Sequence, residues 1–244
     1  MKKLFTTLAV CALATVSLNA QSLFNNSDNH RHFGAELSLD ISCPSDAKAK
    51  FNKEQSGVDG LINGAGFSLT AYYHVPIWWN LYAEPGVGIF YHTTGLQDAV
   101  IAEMNKNDTE EHNYTGASLR EFGINIPIII GYHFDFDFIN LKARVFTGPV
   151  FSVATSGKAK LEARFDDRTW MCNESLYDKG GLNRGNIAWR FGVGVDYKNK
   201  YRLSIYGDAG MTNALNDVYT EIDNTDVKMK LYRNTFNIAL GYNF

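Results

Sequence analysis

Beyond residue 20 the sequence has no apolar run of the roughly 20 residues that a membrane-crossing helix needs, and its mean hydropathy is −0.22. If the chain resides in a membrane, helices do not put it there. Cysteine is scarce, with three in 244 residues, and since Cys11 lies in the leader only Cys43 and Cys172 remain. Two cysteines cannot make a paired-cysteine zinc site. They can make one disulfide, left open against two free thiols because a bridge needs Cα atoms within roughly 7 Å. An excess of one charge is missing too: without Lys2 and Lys3 the formal balance is (23 − 2) − 26 = −5. So mild and dispersed a charge argues against a nucleic-acid partner.

Signatures of catalysis are equally thin. No nucleotide loop, HExxH or local nucleophile motif is present, and His30 and His32 in "NHRH" read as a solvated pair rather than metal ligands. Glu84 and Glu121 could form an acid and base pair, although charge inside a narrow barrel is more often structural. The expectation is no enzyme, no metal and no cofactor.

The first twenty residues, "MKKLFTTLAVCALATVSLNA", carry two lysines, a short apolar run and small residues up to Ala20. This is the pattern of a secretory signal, cleaved between Ala20 and Gln21. Residues 21–30 then form a short polar segment, and residues 31–244 one domain.

Within that domain period two dominates, the mark of strands with one apolar face. "FGAELSLDI", "NGAGFSLTAYY", "LYAEPGVGIFYH", "REFGINIPIIIGYHF", "NLKARVFTGPVFSVA", "NIAWRFGVGVDY", "YRLSIYGDAGM" and "NTFNIALGYNF" give eight strands. Only "HVPIWWN", "HFDFDFI" and "KNK" separate strands two and three, four and five, six and seven, whereas the other gaps are long and polar. Short turns alternating with long loops predict an all-β, eight-stranded antiparallel transmembrane β-barrel, with short periplasmic turns and long extracellular loops.

Which face points inward follows from the chemistry of the polar one. It is mostly Gly, Ala, Ser, Thr and Asn, with Lys142 the only lysine in the strand cores. A water-facing surface would be rich in Lys and Glu; this one suits a crowded lumen. Its charges are Glu36, Asp40, Glu84, Glu121, Asp196 and Asp208 against Lys142, Arg144, Arg190, Arg202 and Arg233, a set that can pair internally. In that pairing, Arg190 and Arg144 are expected to compete for Glu84, Glu121 and Asp208. Aromatics cluster near strand ends, with Trp78, Trp79, Tyr132, Tyr197, Tyr201, Tyr242 and Phe244 at the short-turn side and Trp189, Tyr232, Phe122 and Tyr91 at the other. They suit interfacial belts. At the C-terminus Phe236, Ile238, Leu240, Tyr242 and Phe244 alternate with small or polar residues, as a lipid-facing last strand and an assembly signal would require.

"LREFGINIPIIIGYHF", "ARVFTGPVFSV", "FGVGVDYKNKYRLSIYGDAGMTN" and "NIALGYNF" together resemble the PorT-like family of bacterial outer-membrane barrels, similar in architecture to small eight-stranded barrels such as OmpX and OmpA. That resemblance implies an outer-membrane address, contact with lipid and the barrel assembly machinery, and, for some relatives, a part in protein secretion. The expected task is structural or interactive: a monomer with a closed lumen, displaying long loops to an extracellular or periplasmic partner. A narrow solute channel, a secretion accessory and an outer-membrane enzyme are the alternatives.

Overall fold

The computed structural model describes residues 32–43, 47–51, 54–58, 64–95, 105, 113–136, 140–165, 168–177, 182–214 and 228–244. The leader, the cleavage site at Ala20 and Gln21, and His30 lie outside the described residues, as does the side chain of His32.

The strands are β1 (His32–Ser42), β2 (Ala47–Phe51), β3 (Glu54–Val58), β4 (Gly64–Trp78), β5 (Leu81–Gly95), β6 (Asn113–Phe136), β7 (Leu141–Phe165), β8 (Arg168–Ser175), β9 (Gly185–Tyr197), β10 (Tyr201–Gly210), β11 (Lys228–Lys230) and β12 (Thr235–Asn243). Eight of them form a closed ring in the order β6-β5-β4-β1-β12-β10-β9-β7, sealed by pairing of β6 with β7. These are the eight expected strands. The last strand closes on the first, with Leu240 opposite both Leu37 and Leu203, and Phe244 still donates its N–H to the Phe33 carbonyl at 2.8 Å. Closure matters because hydrocarbon offers no partner to an unpaired backbone group. No described helix is long and apolar enough to cross a membrane.

Side chains alternate sharply across the wall. Outward-facing Leu39, Leu240 and Phe191 are 68%, 66% and 57% exposed, while inward-facing Ser204 and Ala239 are 0% exposed. Left in water, each large apolar side chain forgoes about 1.5–3 kcal/mol of burial; acyl chains supply what water cannot. Inside, glycine makes room for rings. The Tyr72 ring lies 2.3 Å from where a Cβ on Gly34 would stand, and Tyr82 crowds Gly131 equally. A buried cluster of Tyr82, Ile129, Phe146, Tyr206 and Ala239 fills the lumen's middle.

At one end the connections are tight. Trp79 and Asn80 join β4 to β5, and residues 198–200 join β9 to β10. Lys198 and Asn199 have φ of 53° and 56°, and the Lys200 N–H donates to the Tyr197 carbonyl at 3.1 Å. Such a mirror-image turn matches the right-handed twist of the strands it joins. Trp78, Trp79, Tyr132, Tyr197, Tyr201, Tyr242 and Phe244 are exposed around this end; Trp189 and Phe122 are exposed and Tyr91 half-exposed near the other.

The long-loop end departs from the expected plain loops. β6 and β7 run to 24 and 25 residues, past the expected strand ends, and β8 pairs with the extension of β7. Period-two patterning lapses in the sequence "SGKAKLEARF", although the backbone ladder continues through it. Two loops distant in sequence also join: the β2–β3 hairpin accepts β11 as a third strand, setting Lys228 opposite Lys50 and Lys230 opposite Lys48.

Candidate functional site

The inward charges assemble into three tiers. The lowest centres on Glu84, buried on β5. Arg202 of β10 binds it twice, Nη2 donating to Oε1 at 2.7 Å and Nη1 to Oε2 at 3.2 Å, and Arg144 of β7 adds a third bond at 3.2 Å. His74 Nδ1 lies 2.9 Å from Glu84 Oε1. Arg202 also donates Nε to Asp196 Oδ1 at 2.9 Å, its cross-strand neighbour, while Arg144 donates to Ser204 Oγ at 2.5 Å and lies 3.6 Å from Glu36. Aromatic rings flank the cations, Tyr72 at 4.3 Å from Arg202 and Phe146 at 4.7 Å from Arg144. Three carboxylates and two guanidiniums thus span the lumen from β5 to β10, and with the flanking rings they form a plug.

The middle tier pairs directly opposed residues on β9 and β10. Arg190 grips Asp208 with both arms, at 2.7 and 2.8 Å, over the Tyr206 ring at 3.9 Å. Beside it Asp40 Oδ2 meets His92 Nε2 at 3.0 Å, its other oxygen accepts from Ser38, and Ser38 is 2.6 Å from Ser68. Here a carboxylate stands between hydroxyl and imidazole. An acyl-transfer relay needs the imidazole between the other two, so this order holds His92 in place without offering a base to Ser38.

The uppermost tier closes the wide end. Arg233 Nη2 and the Tyr177 hydroxyl both donate to Glu121 Oε1 at 2.6 Å, and Arg184 lies 4.5 Å above the Tyr177 ring. Burial and the adjacent carboxylate push the Tyr177 phenol above its ordinary range, which keeps it a donor. Between this tier and the middle one lies a cavity of about 90 Å³, lined by Asp40, His92, Asn125, Arg190 and Asp208 among others.

Every expected lumenal charge but one therefore lies in these tiers. Lys142 does not: it bonds Asp135 at 3.5 Å at the short-turn rim, where both ends stay part-exposed to water. Nor do Arg190 and Arg144 compete. Arg190 takes Asp208, its cross-strand neighbour, Arg144 takes Glu84 from across β6 with Glu36 and Asp196 farther off, and Glu121 goes to Arg233. Glu84 and Glu121 sit eight residues apart in the ladder of β5 and β6, at about 26 Å, too far to act as acid and base on one substrate. Cys43 is a free thiol with Sγ 3.8 Å from the Ile41 carbonyl, so the bridge weighed with Cys172, whose side chain lies outside the described residues, is not made. His74 and His92 were absent from the expected network, though His92 shares the polar phase of Glu84 in the sequence.

A profile of the outer membrane protein beta-barrel domain matches residues 8–244. The chain belongs to that family. It is a closed eight-stranded barrel of the bacterial outer membrane. Among solved structures it is similar to the outer membrane protein OprG from Pseudomonas aeruginosa, at 12% identity over 88% of this chain and 97% of that one, with a TM-score of 0.42. Neisserial surface protein A is similar at 11% identity over 87% and 97%, with a TM-score of 0.37. The outer membrane enzyme PagL is similar at 13% identity over 86% and 98%, again at 0.37. These likenesses are too distant to carry a functional argument. No curated protein matches the chain.

Proposed function

We propose that this barrel is a scaffold with a sealed lumen that works through its long-loop end, which faces outside the cell, by binding a partner there. One observation carries the reading: the structure not needed to span a bilayer, namely β2, β3, β8, β11 and the extensions of β6 and β7, stands at that end alone. The Glu84 plug supports the sealed lumen, because an eight-stranded barrel has only enough room for its side chains and here they pair across it. Orientation follows the general rule that long loops face outward and short turns the periplasm. Pull-down from outer membranes with loops intact, against a protein lacking residues 44–63 and 215–230, tests the scaffold reading. Partners captured equally by both proteins would overturn it. The narrower PorT-like resemblance would make the captured partner a component of a secretion machine.

The same reading requires that purified protein in a planar bilayer give no stable conductance steps. Arg202→Ala, which takes from Glu84 and Asp196 their nearest guanidinium, is expected to give small irregular ones. Steady ion-selective channels from the unmodified protein would replace the scaffold by a channel.

A further inference from the structure

On the outer wall, strand register sorts the residues near the wide end into rows. Ile89, Ile124 and Val153 form one lipid-facing row, and Tyr91, Phe122 and Ser156 the next. The row beyond, about 7 Å further out, reads Thr93, Arg120, Lys158 and Ser175 across β5, β6, β7 and β8. Arg120 and Lys158 are directly opposed and exposed, and neither makes an ion pair among the described residues. Next come Gly95, Ser118, Lys160 and Asn173, and only in the row after that does an acid appear, Glu162, which pairs with Lys160 and acts on Arg120 as a weaker, longer-range charge without lying between Arg120 and Lys158.

Like charges placed directly opposite destabilise a sheet, so this pair costs stability unless an anion lies between. Its position defines the anion. The row begins where the lipid-facing aromatics end, at the depth of headgroup phosphates, and Thr93 and Ser175 flank it with hydroxyls. We propose that Arg120 and Lys158 form a binding site on the barrel's outer wall for the phosphate of a phosphorylated glycolipid in the surrounding leaflet. Arg120 supplies a planar two-toothed donor, Lys158 a point charge, and the acyl chains of the same lipid lie along Tyr91, Phe122 and Val153. A lipid so held tethers the β6–β7–β8 extension to the membrane surface. In the cell this rests on the wide end facing the glycolipid leaflet; the contact itself does not.

Full-length mature protein, folded in neutral phosphatidylcholine nanodiscs with a rising mole fraction of diphosphoryl lipid A, provides the test. Lipid A retained per barrel after exchange into detergent is read by mass spectrometry. Arg120→Gln and Lys158→Gln are each expected to raise the half-saturating fraction about fivefold, and the double variant about 25-fold. Arg120→Lys with Lys158→Arg should bind nearly as wild type does, and Lys198→Gln, at the opposite end, should change nothing. Dephosphorylated lipid should bind neither protein, and excess inorganic phosphate should not displace lipid A. Heat-modifiable migration establishes that each variant is folded, and the exposed single substitutions stand in should the double variant fail. Equal retention by the folded variants, retention without phosphate, or displacement by inorganic phosphate would each overturn the proposal. Nanodiscs present the lipid on both faces, so a negative result would leave the scaffold reading untouched.

Discussion

Arg202 makes the shortest ion pairs of the lowest tier, to Glu84 at 2.7 Å and Asp196 at 2.9 Å from a single guanidinium, where Arg144 reaches Glu84 at 3.2 Å and Glu36 and Asp196 only at 3.6 and 4.0 Å. Removing it leaves Glu84 with one arginine in place of two and Asp196 with Arg144 only at 4.0 Å, in a low-dielectric interior where such a loss costs about 3–5 kcal/mol. Arg202→Ala should therefore lower the unfolding free energy, read from a urea titration of the folded barrel in detergent, by that amount. Lys142→Ala, whose partner Asp135 is part-exposed, should cost at most about 1 kcal/mol. A comparable loss in both would mean the plug contributes no more than a surface pair. Gly34→Ala acts on the same plug indirectly: the new methyl would stand 2.3 Å from the Tyr72 ring, and Tyr72 is the ring under Arg202. The Cys43 thiol should label equally with and without reductant, as a free cysteine does. Which inward residues are charged was readable from sequence. Which acid each arginine takes was not, because Glu84 is 118 residues from Arg202 in the chain.

Among the strands, β12 has two tasks that can be separated. It closes the barrel through its ladders to β1 and β10, and it ends in Phe244, which is 77% exposed and, among the described residues, makes its ring contact with Tyr242. Deleting Phe244 removes one lipid-facing side chain, a stability loss of about 1.5–3 kcal/mol at most. Assembly in cells, read as the heat-modifiable fraction, should fall by more than refolding in detergent does. Equal effects in the two assays would remove the case for a terminal assembly signal. Strand count and inward phase were legible because lipid and lumen impose opposite chemistries on alternate residues. Strand ends were not, since β6 and β7 continue past the stretches in which the sequence alternates.

As a whole the molecule has two unlike ends: tight turns at one, and at the other an annex of sheet built from β2, β3, β8, β11 and the extended hairpin. Replacing residues 44–63 and 215–230 with short turns should leave the heat-modifiable barrel folded, because every ring ladder lies outside those segments. If the trimmed chain fails to fold, the annex is part of the barrel's stability rather than an addition to it. The amino-acid order alone determined the class of fold, the eight spanning strands, their inward and outward faces and the lipid-facing last strand. All of these are local, repeated at every second residue and enforced by solvent. Only the tertiary structure decided the rest: the two-carboxylate grip of Arg202, the joining of two loops by β11, the free Cys43 and the row that sets Arg120 against Lys158. Each of these depends on register between segments far apart in the chain, and register is settled by the closure of the whole ring.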